Sequence, residues 1–374
     1  METPMTAEST RTASPAPQFP ATQPRPAEIH PPEIRTAEIV RRRRLAGRRR
    51  RLIVVAVLVV LVAALFLAAL CLGDRIYSPA QVLQVIAGEH VRGASFTVGR
   101  LRLPRATTAI LAGAAFGLAG ACFQILLRNT LASPEIIGIT AGANTAAVAG
   151  IIVLGLSGAA LTGIAVVGGL FTALAIALLA WQGRGATGRL ILIGIAVGSM
   201  LDSVTMWLMV RADQWDIQAA SRWLTGSLNG STWEGLAPLL IGLAVGVPLI
   251  AGLSRHLDTL RLGDDAAAGL GVHVQATRVA IMLVAVVVLA TATATTGPIA
   301  FVSLLCGPIA ANLVGAGRSP LLPAALIGSA MVLGCDLIAA HLLPHTYPVG
   351  VVTGIVGGIY LIILIVRMTR KEPA

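Results

Sequence analysis

Charge is scarce in this sequence. Asp, Glu, Lys and Arg make up 12% of its 374 residues, about half of what a soluble domain carries. Motifs that do chemistry are scarcer still. No Gly-x-x-x-x-Gly-Lys-Ser/Thr occurs, so the chain has no loop of that kind to cradle the phosphates of ATP. HExxH, CxxC and Ser-His-Asp patterns are missing too, which leaves an integral membrane enzyme without a motif to stand on. The four cysteines, Cys71, Cys122, Cys306 and Cys335, lie in or at the ends of apolar segments, at no pairing or ligand spacing. They read as small packing residues, so no disulfide, metal site or cofactor is expected.

What the chain has instead is apolar surface. Hydrophobic residues make up 56% of it, and 40 glycines suit close helix contact in lipid. Residues 1–40 hold eight of the twenty prolines without an apolar period, the composition of a disordered tail. Eight arginines between Arg41 and Arg51 then abut the apolar run Leu52–Leu72. That run is too long for the core of a signal peptide and reads as a retained first helix. Nine further blocks follow, at roughly 105–127, 141–157, 159–181, 189–211, 233–253, 276–296, 301–315, 320–340 and 348–367. The class is therefore an all-α polytopic membrane protein of about ten spans. Its domains are a Pro-rich tail ending in the arginine cluster (1–51), a transmembrane domain (52–370) and a short tail (371–374).

The net charge of +11 would suggest nucleic acid if it were not topological. With both termini cytoplasmic, 21 of the 28 Lys and Arg fall on the cytoplasmic side, as the positive-inside rule requires. The arginine cluster then orients the first helix, with anionic lipid or RNA as the other reading. Residues 105–211 and 276–367 each hold four helices and a Gly/Pro-broken link (Asn129–Pro134, Gly315–Pro323). Five spans separate their starts, so the blocks run in opposite directions, as inverted repeats of transporters do.

A polar island interrupts the apolar pattern. Thr259–Val274 carries Arg261, Asp264, Asp265 and His273, and its middle reads as a short helix. Gly263 and Asp264 supply the turn and N-cap, the two aspartates suit the positive end, and Gly269 and Gly271 suit the exit. It is either a docking element on the membrane surface or a solvated loop. Two carboxylates fall in or near spans, where an ionisable group is a functional candidate. Asp336 suits a helix-end cap or interhelical hydrogen bond, and Asp202, nearer mid-span, either packs or lines a pathway. His341 and His345, beside Pro344, read as turn residues. Arg102 and Arg105 precede the second helix on the side where positive charge is disfavoured. They either snorkel to lipid phosphate or grip an acidic partner.

Taken together, Arg102-Leu-Pro-Arg105, Gly113–Gly120 with Gln124, Asn129–Pro134 with Gly138, Leu262-Gly263, Leu270-Gly271, Gly297–Val302 and Pro348–Thr353 resemble the FecCD-type permeases over residues 52–370. These are membrane subunits of ABC importers for ferric siderophores, haem and vitamin B12. The resemblance implies a type II importer fold, a dimer of ten-span permeases, an ABC ATPase dimer that hydrolyses ATP, and an extracytoplasmic substrate-binding protein. It makes Leu262, Gly263, Asp264, Asp265, Leu270 and Gly271 the ATPase-coupling residues. It sets Arg102 and Arg105 against the binding protein and Ala186, Thr187 and Gly188 at a cytoplasmic gate. Gly198, Ser199, Asp202, Thr353 and Gly357 then belong to pathway walls. Gly357-Gly-Ile-Tyr360 is closer to ferric-catecholate permeases than to those for vitamin B12.

The chain departs from the family pattern at Thr130, Ala268, Gly307–Asn312 and Ala340. Two of these changes strip charge from the cytoplasmic surface, which favours a heterodimer whose second permease supplies it. The expected function is ferric-siderophore import across the cytoplasmic membrane, in contact with lipid and not nucleic acid. The alternatives are an ion-coupled secondary transporter using Asp202 or Asp336, or a haem or vitamin B12 permease.

Overall fold

The computed structural model describes residues 33–135, 138–180, 186–315 and 317–369. Most of the expected N-terminal tail and all of the tail at 371–374 lie outside the described residues. The first helix, α1 (Glu33–Cys71), starts well before the apolar run. Thus the arginine cluster, expected to end a disordered segment, is helical. Between Pro32 and Pro79 the chain has no proline, so the arginine cluster meets no breaker of that kind.

The stretch to the next long helix holds α2 (Pro79–Ile86), α3 (Ala94–Phe96) and a six-residue π-helix, Thr97–Arg102. Ser78 and Gln81 close a reciprocal capping box at the start of α2, with Pro79 in the first turn. Then follow α4 (Leu103–Leu127), α5 (Ile139–Ile152), α6 (Gly158–Ala180) and α7 (Ala186–Arg211). An amphipathic α8 (Gln214–Leu224) precedes α9 (Trp233–Leu260) and the short α10 (Asp264–Gly269). The chain finishes with α11 (Val274–Thr296), α12 (Val302–Val314), α13 (Leu321–His341) and α14 (Val349–Thr369). Among the described residues, seven helices are long and apolar enough to cross a membrane, and the shorter apolar stretches Ile139–Ile152, Val302–Val314 and Val349–Leu364 bring the count to the expected ten.

The repeat is visible in three dimensions. α4–α7 and α11–α14 share one order: a long helix, a short one, then two long ones. Each short helix starts directly after a left-handed residue, Gly138 (φ 79°) before α5 and Phe301 (φ 66°) before α12. The packing is crosswise, α4 against α13 and α11 against α6. The matching breaks are therefore 128–135 with Gly138, and 297–301, whereas the expected link at Gly315–Pro323 runs into α13, which starts at Leu321. Non-helical backbone at membrane depth is tolerated where protein or a water-filled cavity surrounds it, so these breaks mark the place to look for a site.

α4 is the axis of the core, with 78% of its most apolar stretch buried against 11% for α1. Glycine makes this possible. A Cβ on Gly113 would sit 2.3 Å from the Gly328 carbonyl oxygen, and one on Gly120 would sit 1.9 Å from that of Ser303. Cys122, Cys306 and Cys335 are buried in the same interfaces, as packing residues should be.

Candidate functional site

The polar island folds as expected at its exit. Gly271 takes a left-handed φ of 81°, and the Val272 and Gly271 amides donate to the carbonyls of Ala267 and Ala268 at 3.0 and 2.9 Å. This is a Schellman ending, which a glycine adopts at no steric cost. The start differs from expectation. Gly263 is the N-cap, and the Asp264 carboxylate makes no capping bond. It lies instead between two guanidinium groups. Arg128, the left-handed residue that ends α4 (φ 49°), pairs with Asp264 Oδ1 through Nη2 and also donates to the Leu260 carbonyl at 3.0 Å. Arg278 of α11 donates to both Asp264 oxygens at 3.1 and 3.3 Å. Asp264, expected to face a partner, therefore holds α10 to its own bundle. Asp265 is exposed, and Leu262 and Leu270 flank the helix with 67% of each in the open. Two bare leucines around a pinned polar helix make an apolar contact surface.

At the opposite end of α4, both expected docking arginines have partners within the chain. Arg102 donates to the carbonyls of Leu70, Cys71 and Arg75 at 2.9, 3.2 and 2.7 Å, and its guanidinium lies 5.2 Å from the Tyr77 ring centre. It thereby satisfies the carbonyls that end α1, which have no helical partner. Arg105 makes a two-pronged pair with Asp336 of α13, 2.9 Å on each prong. The expected interhelical bond of Asp336 is this one, and a carboxylate clamped by arginine is not a free ion-coupling group. Arg75, Arg92 and Arg100, in the same part of the sequence, are exposed.

The pathway candidates separate into two groups. Asp202 and Ser199 are exposed on α7. Gly198, Thr353 and Gly357 are buried in contacts within the chain. Gly198 lies against Gly138, Thr353 is 0% exposed and bonds the Gly350 carbonyl, and Gly357 meets the Phe301 side chain. At the expected gate, Ala186 and Thr187 open α7 and Gly188 is exposed, just after the undescribed residues 181–185.

A residue the sequence did not single out joins Asp202. Glu135, in the break between α4 and α5, lines a cavity of about 380 Å³ with Asp202, Thr140, Asn144 and the Pro298–Ala300 turn. Ser303 Oγ donates to Glu135 Oε1 at 3.0 Å and lies 3.1 Å from Ser133 Oγ, which ties the first break to the start of α12. Thr140 Oγ1 and Asn144 Oδ1 are buried without a partner, and both residues border this cavity. Leu224, Thr225, Gly350 and Val351 also line it, and a polar cavity where two helix breaks meet is the kind of place in which transporters build a site.

Comparison with known proteins agrees with this geometry. Residues 60–367 match the model of the FecCD transport family. The chain is 40% identical over 297 residues to the ferric enterobactin transport system permease protein FepG of Escherichia coli, covering 78% of this chain and 89% of FepG. It is 35% identical to the achromobactin transport system permease protein CbrC of Dickeya dadantii, covering 81% and 88%. With the Fe(3+)-citrate import system permease protein YfmE of Bacillus subtilis it shares 34% identity over 82% and 93%. Its fold is similar to a solved structure described as an inward-facing metal-chelate type ABC transporter, with a TM-score of 0.76, 25% identity and coverage of 84% and 98%. The ten apolar helices, the inverted repeat and these matches lead to one conclusion: the chain is a membrane-spanning permease and belongs to the FecCD transport family.

Proposed function

We propose that this permease moves ferric siderophores inward across the cytoplasmic membrane, driven by a separate ABC ATPase dimer. The observation that carries the coupling half of this reading is α10, a six-residue helix pinned to the bundle through Asp264 and flanked by the exposed Leu262 and Leu270. A rigid helix with an apolar rim suits a cleft that closes when ATP binds. The cargo half rests on FepG, CbrC and YfmE, whose names carry ferric enterobactin, achromobactin and ferric citrate. In this reading α10 and both termini are cytoplasmic. A second permease, favoured as a different chain, covers the α7 face that bears Ser199 and Asp202. With Arg102 and Arg105 engaged inside the chain, the binding protein's carboxylates are met by Arg75, Arg92 and Arg100.

A deletion strain grown under iron limitation should lose uptake of one or more of ferric enterobactin, ferric citrate and ferric hydroxamates, and a plasmid copy should restore it. Uptake should stop when the ATPase is inactivated with the proton gradient intact. Uptake that survives ATPase loss and collapses with the gradient overturns the reading. Docking is tested separately with Leu270→Asp. A buried charge in an apolar contact costs several kcal/mol, so ATPase co-purification should fall at least about tenfold while membrane abundance stays at the wild-type level. Unchanged co-purification removes α10 from the ATPase contact.

A further inference from the structure

A helix of six residues on the surface can pass on a push only through what holds it. Among the described residues, α10 packs on α9 and α11, its neighbours in sequence. Arg278, one of the two partners of Asp264, belongs to α11 and lies 14 residues away. Arg128, the other, lies 136 residues away, at the point where α4 stops and the first helix break begins. Its left-handed backbone is one of two such non-glycine positions among the described residues, the other being Phe301 at the second break. A non-glycine residue in this region is uncommon and is held there by its surroundings. From Arg128 the chain runs through Asn129, whose Oδ1 accepts from the Leu131 amide at 2.9 Å, to Ser133 and Glu135, both bonded to Ser303. Two residues before Ser303, Phe301 presses against Gly357 of α14. One short stretch of chain thus joins the partner of the pinned helix to the polar cavity.

We propose that Arg128 and Asp264 are positioning residues that carry the displacement of α10 into the 129–135 segment and so reshape the cavity around Glu135 and Asp202. The proposal rests on α10 being the ATPase contact. The pair is 43% and 47% exposed, and an exposed ion pair contributes little to stability. Replacing Arg128 therefore leaves the bundle folded, with Arg278 still on Asp264, so a loss of coupling can be read without a loss of fold. Spatial connection alone does not demonstrate coupling; a double-mutant cycle does.

The test uses the whole complex in proteoliposomes with ATPase, second permease and binding protein. ATP hydrolysis is measured beside uptake of a ferric siderophore that the wild type imports. Asp264→Asn and Arg128→Gln should each retain ATPase co-purification and hydrolysis, with uptake per ATP lower by about tenfold or more. The double variant should be no worse than either single, and Arg128→Lys should recover part of the loss. Unchanged uptake per ATP in either single variant, or multiplying losses in the double, overturns the proposal. Loss of co-purification in Asp264→Asn also overturns it, because Asp264 would then be a docking contact. Failure of the docking reading shows separately, as an intact complex in Leu270→Asp.

Discussion

Leucine in place of Gly120 is expected to leave almost no folded permease in the membrane. The atoms that would meet its Cβ are backbone: the Ser303 oxygen at 1.9 Å, its carbonyl carbon at 2.6 Å and its Cα at 2.8 Å. None can rotate aside, so α12 must move bodily away from α4. The Ser303 bonds to Ser133 and Glu135 move with it. Ordinary overpacking costs about 1–3 kcal/mol, and displacing a helix adds lost contacts along its length, against a total stability of only about 5–15 kcal/mol. Gly113, Gly117 and Gly328 should behave alike, since each would strike backbone at 2.0–2.3 Å. Gly252 of α9 has open space and should accept leucine. Membrane abundance, size-exclusion profile and thermal melting of Gly120→Leu beside Gly252→Leu decide the matter. Equal behaviour of the two variants would mean that the α4–α12 contact is not as close as described.

Asp336→Ala should be the next most damaging change. It removes the Asp336 side chain, 8% exposed, and leaves Arg105, 29% exposed, without its partner. Breaking a buried pair from one side costs about 3–5 kcal/mol, because a charge is left without compensation. Replacing both partners by apolar residues of similar volume costs much less. Arg105→Met with Asp336→Leu should therefore melt close to wild type, well above Asp336→Ala alone. The same double variant separates two roles for Arg105. If import survives in it, the arginine is a structural strut; if import fails in a stable protein, Arg105 also grips the binding protein.

Much of this architecture is legible in the residues. Hydrophobic length marks the ten apolar helices, most to within a few residues, because lipid leaves the backbone no alternative to helix. The exit of α10 is legible because only glycine suits the left-handed position that Gly271 fills. What stays hidden is pairing at a distance. Nothing local to Asp264 says that Arg128 will reach it across 136 residues of chain, so the aspartate reads as a cap. Glu135 follows Ser133 and Pro134 and reads as an ordinary turn residue until the fold sets it beside Ser303 and Asp202. The Arg-x-x-Arg motif hides its partners within the chain for a related reason. Its position on the disfavoured side suggests a partner outside, and only the fold adds the carbonyls of α1 and the carboxylate of α13. Amphipathic α8 escapes a search for apolar blocks because its polar face dilutes them, and Trp215, 82% exposed, stands on it.

The bareness of α1 bears on how the chain is made. Its far clasp, Arg50 donating to the carbonyls of Leu313 and Asn312 at 2.8 and 3.1 Å, joins residues 263 and 262 positions apart. At a synthesis rate of about 5–20 residues per second, the helix leaves the ribosome on the order of 10–50 s before those carbonyls exist. The other clasp, from Arg102 to Leu70 and Cys71, closes after only 32 and 31 residues. During the wait α1 has little but lipid for company, and a surface apolar on nearly every side makes that stay comfortable. It behaves as a mooring post: set first and tied at one end at once. The second line is thrown only when α12 has been translated.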